Sequence, residues 1–125
     1  MTFRRLLLVV LGGTLGTAGR LLLGLWMPQP EGVPLATIVV NVLGALLIGV
    51  LAARLPAASD LRVFLATGVL GGFTTYSAFA VSSIELWQGS PWLALAVVVA
   101  SLGLGVLAAA AGMRLATTRR RSGER

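Results

Sequence analysis

Cysteine, histidine and lysine are absent from this 125-residue chain, and aspartate and glutamate together number only four. Without cysteine there is no disulfide and no thiol nucleophile, and without histidine no imidazole base; together the two absences remove the usual zinc ligands. Only oxygen chemistry is left. The acids Glu31, Asp60, Glu85 and Glu124 are far apart and fall at or beyond the ends of the apolar runs. That placement argues against a paired-carboxylate active site, and no enzyme is expected. Charge is scarce as well, at 11% of residues against about 25% in soluble domains. With 57% hydrophobic residues and a mean hydropathy of +0.93, the composition is that of an integral membrane protein.

What is present is four long apolar runs. Proline-bearing or polar clusters at Pro28–Pro34, Arg54–Asp60 and Gln88–Pro91 divide the chain. The spans expected between them are about 3–27, 33–53, 61–86 and 92–112, each near or above the roughly 20 residues that a bilayer core requires. They form a single all-α transmembrane domain followed by a basic tail, 113–125. Arg4 and Arg5 before an apolar run resemble the start of a signal peptide. The run continues past the roughly 7–15 residues of such a segment and ends in no small-residue cleavage site, so the first span is expected to stay attached. Asp60 reads as an N-cap of the third helix, Pro91 precedes the fourth, and Trp26, Trp87 and Trp92 fall at span ends as interfacial anchors.

Arginine supplies all the positive charge, and its placement is lopsided. Arg4, Arg5, Arg54, Arg62, Arg114, Arg119, Arg120, Arg121 and Arg125 belong to one side, which predicts that both termini are cytoplasmic. The run Arg119–Arg121 beside a span is expected to hold topology and touch anionic lipid, so no nucleic-acid partner is inferred.

The third run is interrupted. Gly68-Val-Leu-Gly-Gly-Phe-Thr-Thr-Tyr-Ser-Ala-Phe79 places glycines and hydroxyls in the middle of it. In lipid every backbone N–H and C=O must be bonded within the protein, so irregular backbone at that depth survives only where protein or water covers it. A break there is a candidate site, since freed carbonyls can coordinate cations and helix N-termini can face anions. Phe73, Tyr76 and Phe79, three apart, are expected along one side of the surviving helix. Ring edges are electropositive and can stabilise a small anion in a dry passage, with Thr74, Thr75 and Ser77 adding hydroxyls. Thr37, Asn41, Gly44 and Ile48 share a face of the second helix; Asn41 either bonds a neighbouring helix or lends its N–H groups to a permeating species. Arg20, inside the first span, either lines a vestibule that attracts anions or snorkels to the headgroups. Ser101 sits near the centre of the fourth helix and can bond to its own i−4 carbonyl.

Three motifs in order resemble those of the Fluc (CrcB-like) fluoride channels. Gly12-Gly-Thr-Leu-Gly-Thr-Ala-Gly-Arg20 is similar to their GGxxGAxxR, Val40-Asn-Val-Leu-Gly44 to their VNxxG, and Gly71-Gly-Phe-Thr-Thr-Tyr-Ser-Ala-Phe79 to their GGxTTFSTF. The resemblance implies a fluoride-selective channel in the cell membrane, built as a dual-topology pair of antiparallel subunits around two pores, with a sodium ion held by carbonyls at the breaks. It implies passive export of fluoride that enters as HF. By position it puts Asn41 in the pore and Tyr76 and Phe79 at two aromatic positions. The carbonyls of Gly71 and Thr74 would face sodium, Arg20 would sit by the vestibule, and Thr75, Ser77 and Ser101 would form a polar track.

Three departures qualify the resemblance. Tyr76 stands where the family usually has phenylalanine, Ala80-Val-Ser82 replaces the frequent Ser-x-Glu so that Glu85 cannot inherit the acid's role, and the arginine bias is unexpected for a homodimer of two-way inserters. The bias favours an oppositely oriented paralogue as partner; a homodimer is the other possibility. Two rival functions remain. A small multidrug-resistance exporter needs an acid inside helix one, which holds Arg20 instead, and in a non-conducting or partner-dependent subunit Asn41 and the glycines would only pack.

Overall fold

A computed structural model describes residues 2–28 and 32–122. Glu31, Glu124, Arg125 and the side chains of Arg119–Arg121, named above, lie outside what is described. Helix α1 is Phe3–Trp26 and α2 is Leu35–Arg54. The third span begins as a short α3, Asp60–Arg62, continues as a π-helical segment, Val63–Leu70, and closes its first half with α4, Gly71–Phe73. After two extended residues it resumes as α5, Tyr76–Gly89, and α6 is Pro91–Ser122. Among the described residues, four helical stretches (Phe3–Trp26, Leu35–Arg54, Asp60–Gly89 and Pro91–Thr118) are long and apolar enough to cross a membrane.

Several boundaries differ from the sequence-based expectation. The last helix runs on to Ser122, through residues 113–122 of the basic tail, because Met113-Arg-Leu-Ala116 contains no breaker. Pro91 is its first residue, where the missing N–H costs nothing. Ser59, not Asp60, caps the third span, since its extended backbone lets Oγ accept from Arg62 N at 3.2 Å. The Asp60 carboxylate instead pairs with Arg4 Nη2 at 2.9 Å and Arg5 Nε at 3.1 Å.

Two helix pairings organise the molecule. α2 lies along α6, and α1 lies along the π-helical segment and α4, with α5 packed on α6. Both contacts are backbone-close because glycine removes the side chain at the crossing. A Cβ on Gly49 would strike the Ala109 carbonyl, and one on Gly112 the Leu46 carbonyl. On the other side, a Cβ on Gly16 would strike the Val69 carbonyl, and one on Gly72 the Gly13 carbonyl. Little is buried within the chain, and leucines and valines of all four spans face outward, as a lipid-facing surface requires.

Candidate functional site

The third span breaks at Thr74 and Thr75, whose backbones are extended (φ/ψ −80/156° and −148/119°). The break is held from outside by Asn41 on α2. Its Nδ2 donates to the Thr75 carbonyl at 2.9 Å, and its Oδ1 accepts from Thr75 N–H at 2.8 Å. A single side-chain amide thus does what a neighbouring strand would do, satisfying both backbone groups of one residue. Thr75 then starts α5, its Oγ1 accepting from Ala78 N–H at 3.2 Å. Thr74 folds back, its N–H and Oγ1 both donating to the Leu70 carbonyl at 2.9 Å.

The consequence for the carbonyls follows from helix geometry. In an unbroken helix the Gly71 carbonyl would take Thr75 N–H, and the Thr74 carbonyl would take Ala78 N–H. Both donors are used elsewhere, by Asn41 Oδ1 and by Thr75 Oγ1. Gly71 and Thr74 are therefore two of the positions where the break deprives an oxygen of its helical donor. Among the described residues no cluster of acids, histidines or cysteines could hold a metal, so a cation here would be held by such oxygens.

An open groove of about 510 Å³ runs along the break, walled by α2, α5 and α6. Asn41, Thr74, Thr75, Tyr76, Phe79 and Ser101 line it, with Gly44, Ile48, Leu102 and Val106 among its apolar wall. Phe79 is only 9% exposed, whereas Tyr76 is 83% exposed and stands at the open side. Ser101 Oγ donates to its own Val97 carbonyl at 2.6 Å while facing the groove. Ser77 is exposed and stands outside the groove wall, linked to it by a 3.3 Å contact between its Oγ and Thr75 Oγ1.

A second cavity of about 380 Å³ is lined by Arg20, Leu21, Thr37, Val40 and Thr75, among others. Thr75 lines both spaces, so the break separates them. Arg20 Nε donates to the Gly72 carbonyl at 3.3 Å, and Thr17 Oγ1 donates to the same oxygen at 3.3 Å.

The expected row of three aromatics is not formed. Tyr76 and Phe79 line the groove, while Phe73 packs toward Gly19 on α1, because two extended residues between Phe73 and Tyr76 break the helical phase. Thr37, one turn before Asn41 on the unbroken α2, lines the second cavity and not the groove. Thr17 was not singled out from sequence; its signal is the i, i+3 spacing to Arg20.

A model of the CrcB-like protein family (Camphor Resistance, CrcB) matches residues 7–113. Curated proteins named fluoride-specific ion channel FluC are similar over most of the chain. One from Rhizobium meliloti is 49% identical over 117 residues, covering 88% of this chain and 94% of its own. One from Thermus thermophilus is 43% identical over 121 residues (92% and 95%), and one from Agrobacterium fabrum 41% over 115 (86% and 92%). These relatives are ion channels and not enzymes, in agreement with the non-enzymatic reading of the sequence. With four apolar helical spans, the chain is a multi-pass, all-α membrane protein.

Proposed function

The chain belongs to the CrcB-like family, and we propose that it is a fluoride-selective channel that lets cytoplasmic fluoride leave the cell passively. One observation carries the reading: Asn41 holds open the Thr74–Thr75 break, so that the N-terminus of α5 begins in a groove otherwise walled by apolar side chains. Fluoride is small and strongly hydrated, and a dry passage must replace its water with closely placed donors. The groove offers the Thr75 hydroxyl, the ring edges of Tyr76 and Phe79 and the positive end of the α5 dipole, and the Ser101 hydroxyl joins them when it turns away from the Val97 carbonyl. Ser77 extends the hydroxyls of Thr75 outward. Arg20 and Thr75 line the adjoining cavity, which serves as the vestibule.

A second subunit covers the groove. Polar groups and deprived carbonyls at membrane depth cannot face hydrocarbon, so the open side, where Tyr76 stands, needs protein or water opposite it, and a second subunit supplies the cover. An antiparallel pairing in the cell membrane fits this need, with sodium held between the subunits by the Gly71 and Thr74 carbonyls. The arginine asymmetry favours a chain of one orientation, termini in the cytoplasm, opposite an oppositely oriented paralogue.

Reconstitution in liposomes tests the function. Fluoride efflux is expected, with chloride efflux absent. Phe79→Ile removes the ring edge, and Asn41→Asp replaces the donor to the Thr75 carbonyl with a negative charge; each is expected to lower efflux at least about tenfold. Chloride efflux equal to fluoride efflux, or full activity in both variants, refutes the reading. Silence of the chain alone, with efflux restored by coexpression of a second CrcB-like chain, assigns it to the partner-dependent form.

A further inference from the structure

The Gly72 carbonyl has an unusual set of donors. Its helical partner would be Tyr76 N–H, but Tyr76 is the first residue of α5 and lies beyond the break. Two side chains of α1 take the vacated place, Thr17 Oγ1 and Arg20 Nε, both at 3.3 Å. They reach because α1 runs against the backbone here, Gly13 beside Gly72 and Gly16 beside Val69 and Phe73, with no side chain between. A cation at this point also meets the negative end of the first half of the span.

We propose that Arg20 is a positioning residue: its Nε, with Thr17, clamps the Gly72 carbonyl and fixes the geometry of the break, and this bond rather than its charge is its main contribution to conduction. The groove and the vestibule meet at Thr75, three residues from the clamp. Thr75 is held from α2 by Asn41, and Gly72 is held from α1 by Arg20 and Thr17. The stretch from Gly72 to Thr75 is thus fixed at both ends by different helices. Release of the α1 end would let the chain between Gly72 and Thr75 fluctuate and blur the spacing of the donors along the groove. The clamp also commits the Gly72 oxygen and so withdraws it from any cation at the break.

The inference rests on the channel reading, and two substitutions with opposite chemistry separate bond from charge. Glutamine carries an amide nitrogen as many bonds from Cα as Nε is, without the charge; lysine keeps the charge but has a methylene there. Full-length chain reconstituted with Arg20→Lys is expected to lose fluoride efflux about tenfold, the worth of one hydrogen bond from a charged donor, and Arg20→Gln only about threefold. Amide hydrogen exchange of the 74–78 segment in detergent gives a readout independent of fluoride. Exchange is expected to quicken at least about fivefold in Arg20→Lys and in Arg20→Lys/Thr17→Val, and to stay within about twofold of the parent in Arg20→Gln. If Arg20→Gln loses more efflux than Arg20→Lys, or the two lose equally, or exchange in Arg20→Lys is unchanged, the clamp is refuted. A parent chain that conducts no fluoride refutes the channel reading instead, and the exchange comparison still decides on the clamp.

Discussion

At the scale of single residues, the molecule depends on side chains that are missing as much as on those present. Gly16 faces α4 and the end of the π-helical segment so closely that a Cβ would meet the Val69 carbonyl and come within 2.8 Å of Phe73 N. Backbone atoms on both sides leave nothing flexible to move aside. Gly103, by contrast, has open space around it on α6. Gly16→Ala is therefore expected to destabilise the fold by roughly 1–3 kcal/mol through overpacking, and to displace Thr17 and Arg20 from Gly72. Gly103→Ala is expected to be neutral or slightly stabilising, since alanine is the better helix former. Thermal unfolding of both variants in the same detergent checks the contrast, and equal melting temperatures would contradict it. The same close approach explains why the glycines of Gly12–Gly19 behave differently: Gly12 and Gly16 are buried at the crossing, whereas a Cβ on Gly13 or Gly19 would meet nothing nearer than 4.0 and 3.7 Å.

At the scale of elements, the third span is two helices with separate ends, and each end has its own local solution. Thr75 supplies the N-cap of α5. Thr75→Ala removes that acceptor and is expected to cost about 1 kcal/mol of α5 stability, seen as faster amide exchange at Ala78; Thr75→Ser keeps the hydroxyl and is expected to restore protection. Protection at Ala78 unchanged in Thr75→Ala would mean that the cap is irrelevant. That a break would fall between Gly71 and Phe79 was legible, because Gly-Gly followed by Thr-Thr weakens a helix whatever its neighbours are. Its position was not, because it is set by Asn41, 34 residues away in sequence, which pairs with Thr75 and with no other residue of the segment. Phe73 lies on a different side from Tyr76 and Phe79 for the same reason: helical spacing predicts a face only while the helix lasts. The π-helical turn of Val63–Leu70 left no mark in a run that is apolar on every side. Ser59 and Asp60 are both good caps by type, and only the arginines of α1 decide that Asp60 is used for pairing instead.

At the scale of the whole molecule, one end gathers charge and the other has little. Arg4 and Arg5 meet Asp60, Arg5 Nη2 also donates to the Ala58 carbonyl at 2.6 Å, and Arg62 Nη1 donates to the Leu55 carbonyl at 3.1 Å, close to Arg54 at the end of α2. Ion pairs this exposed add little stability, and a single acid does little to weaken the orienting effect of arginines near span ends. Moving this end through the bilayer would carry Arg4, Arg5, Arg54, Arg62 and Arg114 with it, each costing about 2.5–3.5 kcal/mol at the membrane centre on insertion scales. The charge distribution predicts a strong bias to one orientation, under which the proposed pairing takes a differently oriented partner. The absence of cysteine makes this measurable, because a cysteine introduced at Thr2 or Ser90 is a unique label. An impermeant thiol reagent applied to intact cells is expected to label the Ser90→Cys chain and spare the Thr2→Cys chain until the membrane is opened. Replacing Arg4, Arg5, Arg54 and Arg62 with glutamine should make both sites reactive from outside. Equal labelling of the two sites in the otherwise unaltered chain would mean that it inserts both ways, and that it can meet a second copy of itself across the groove.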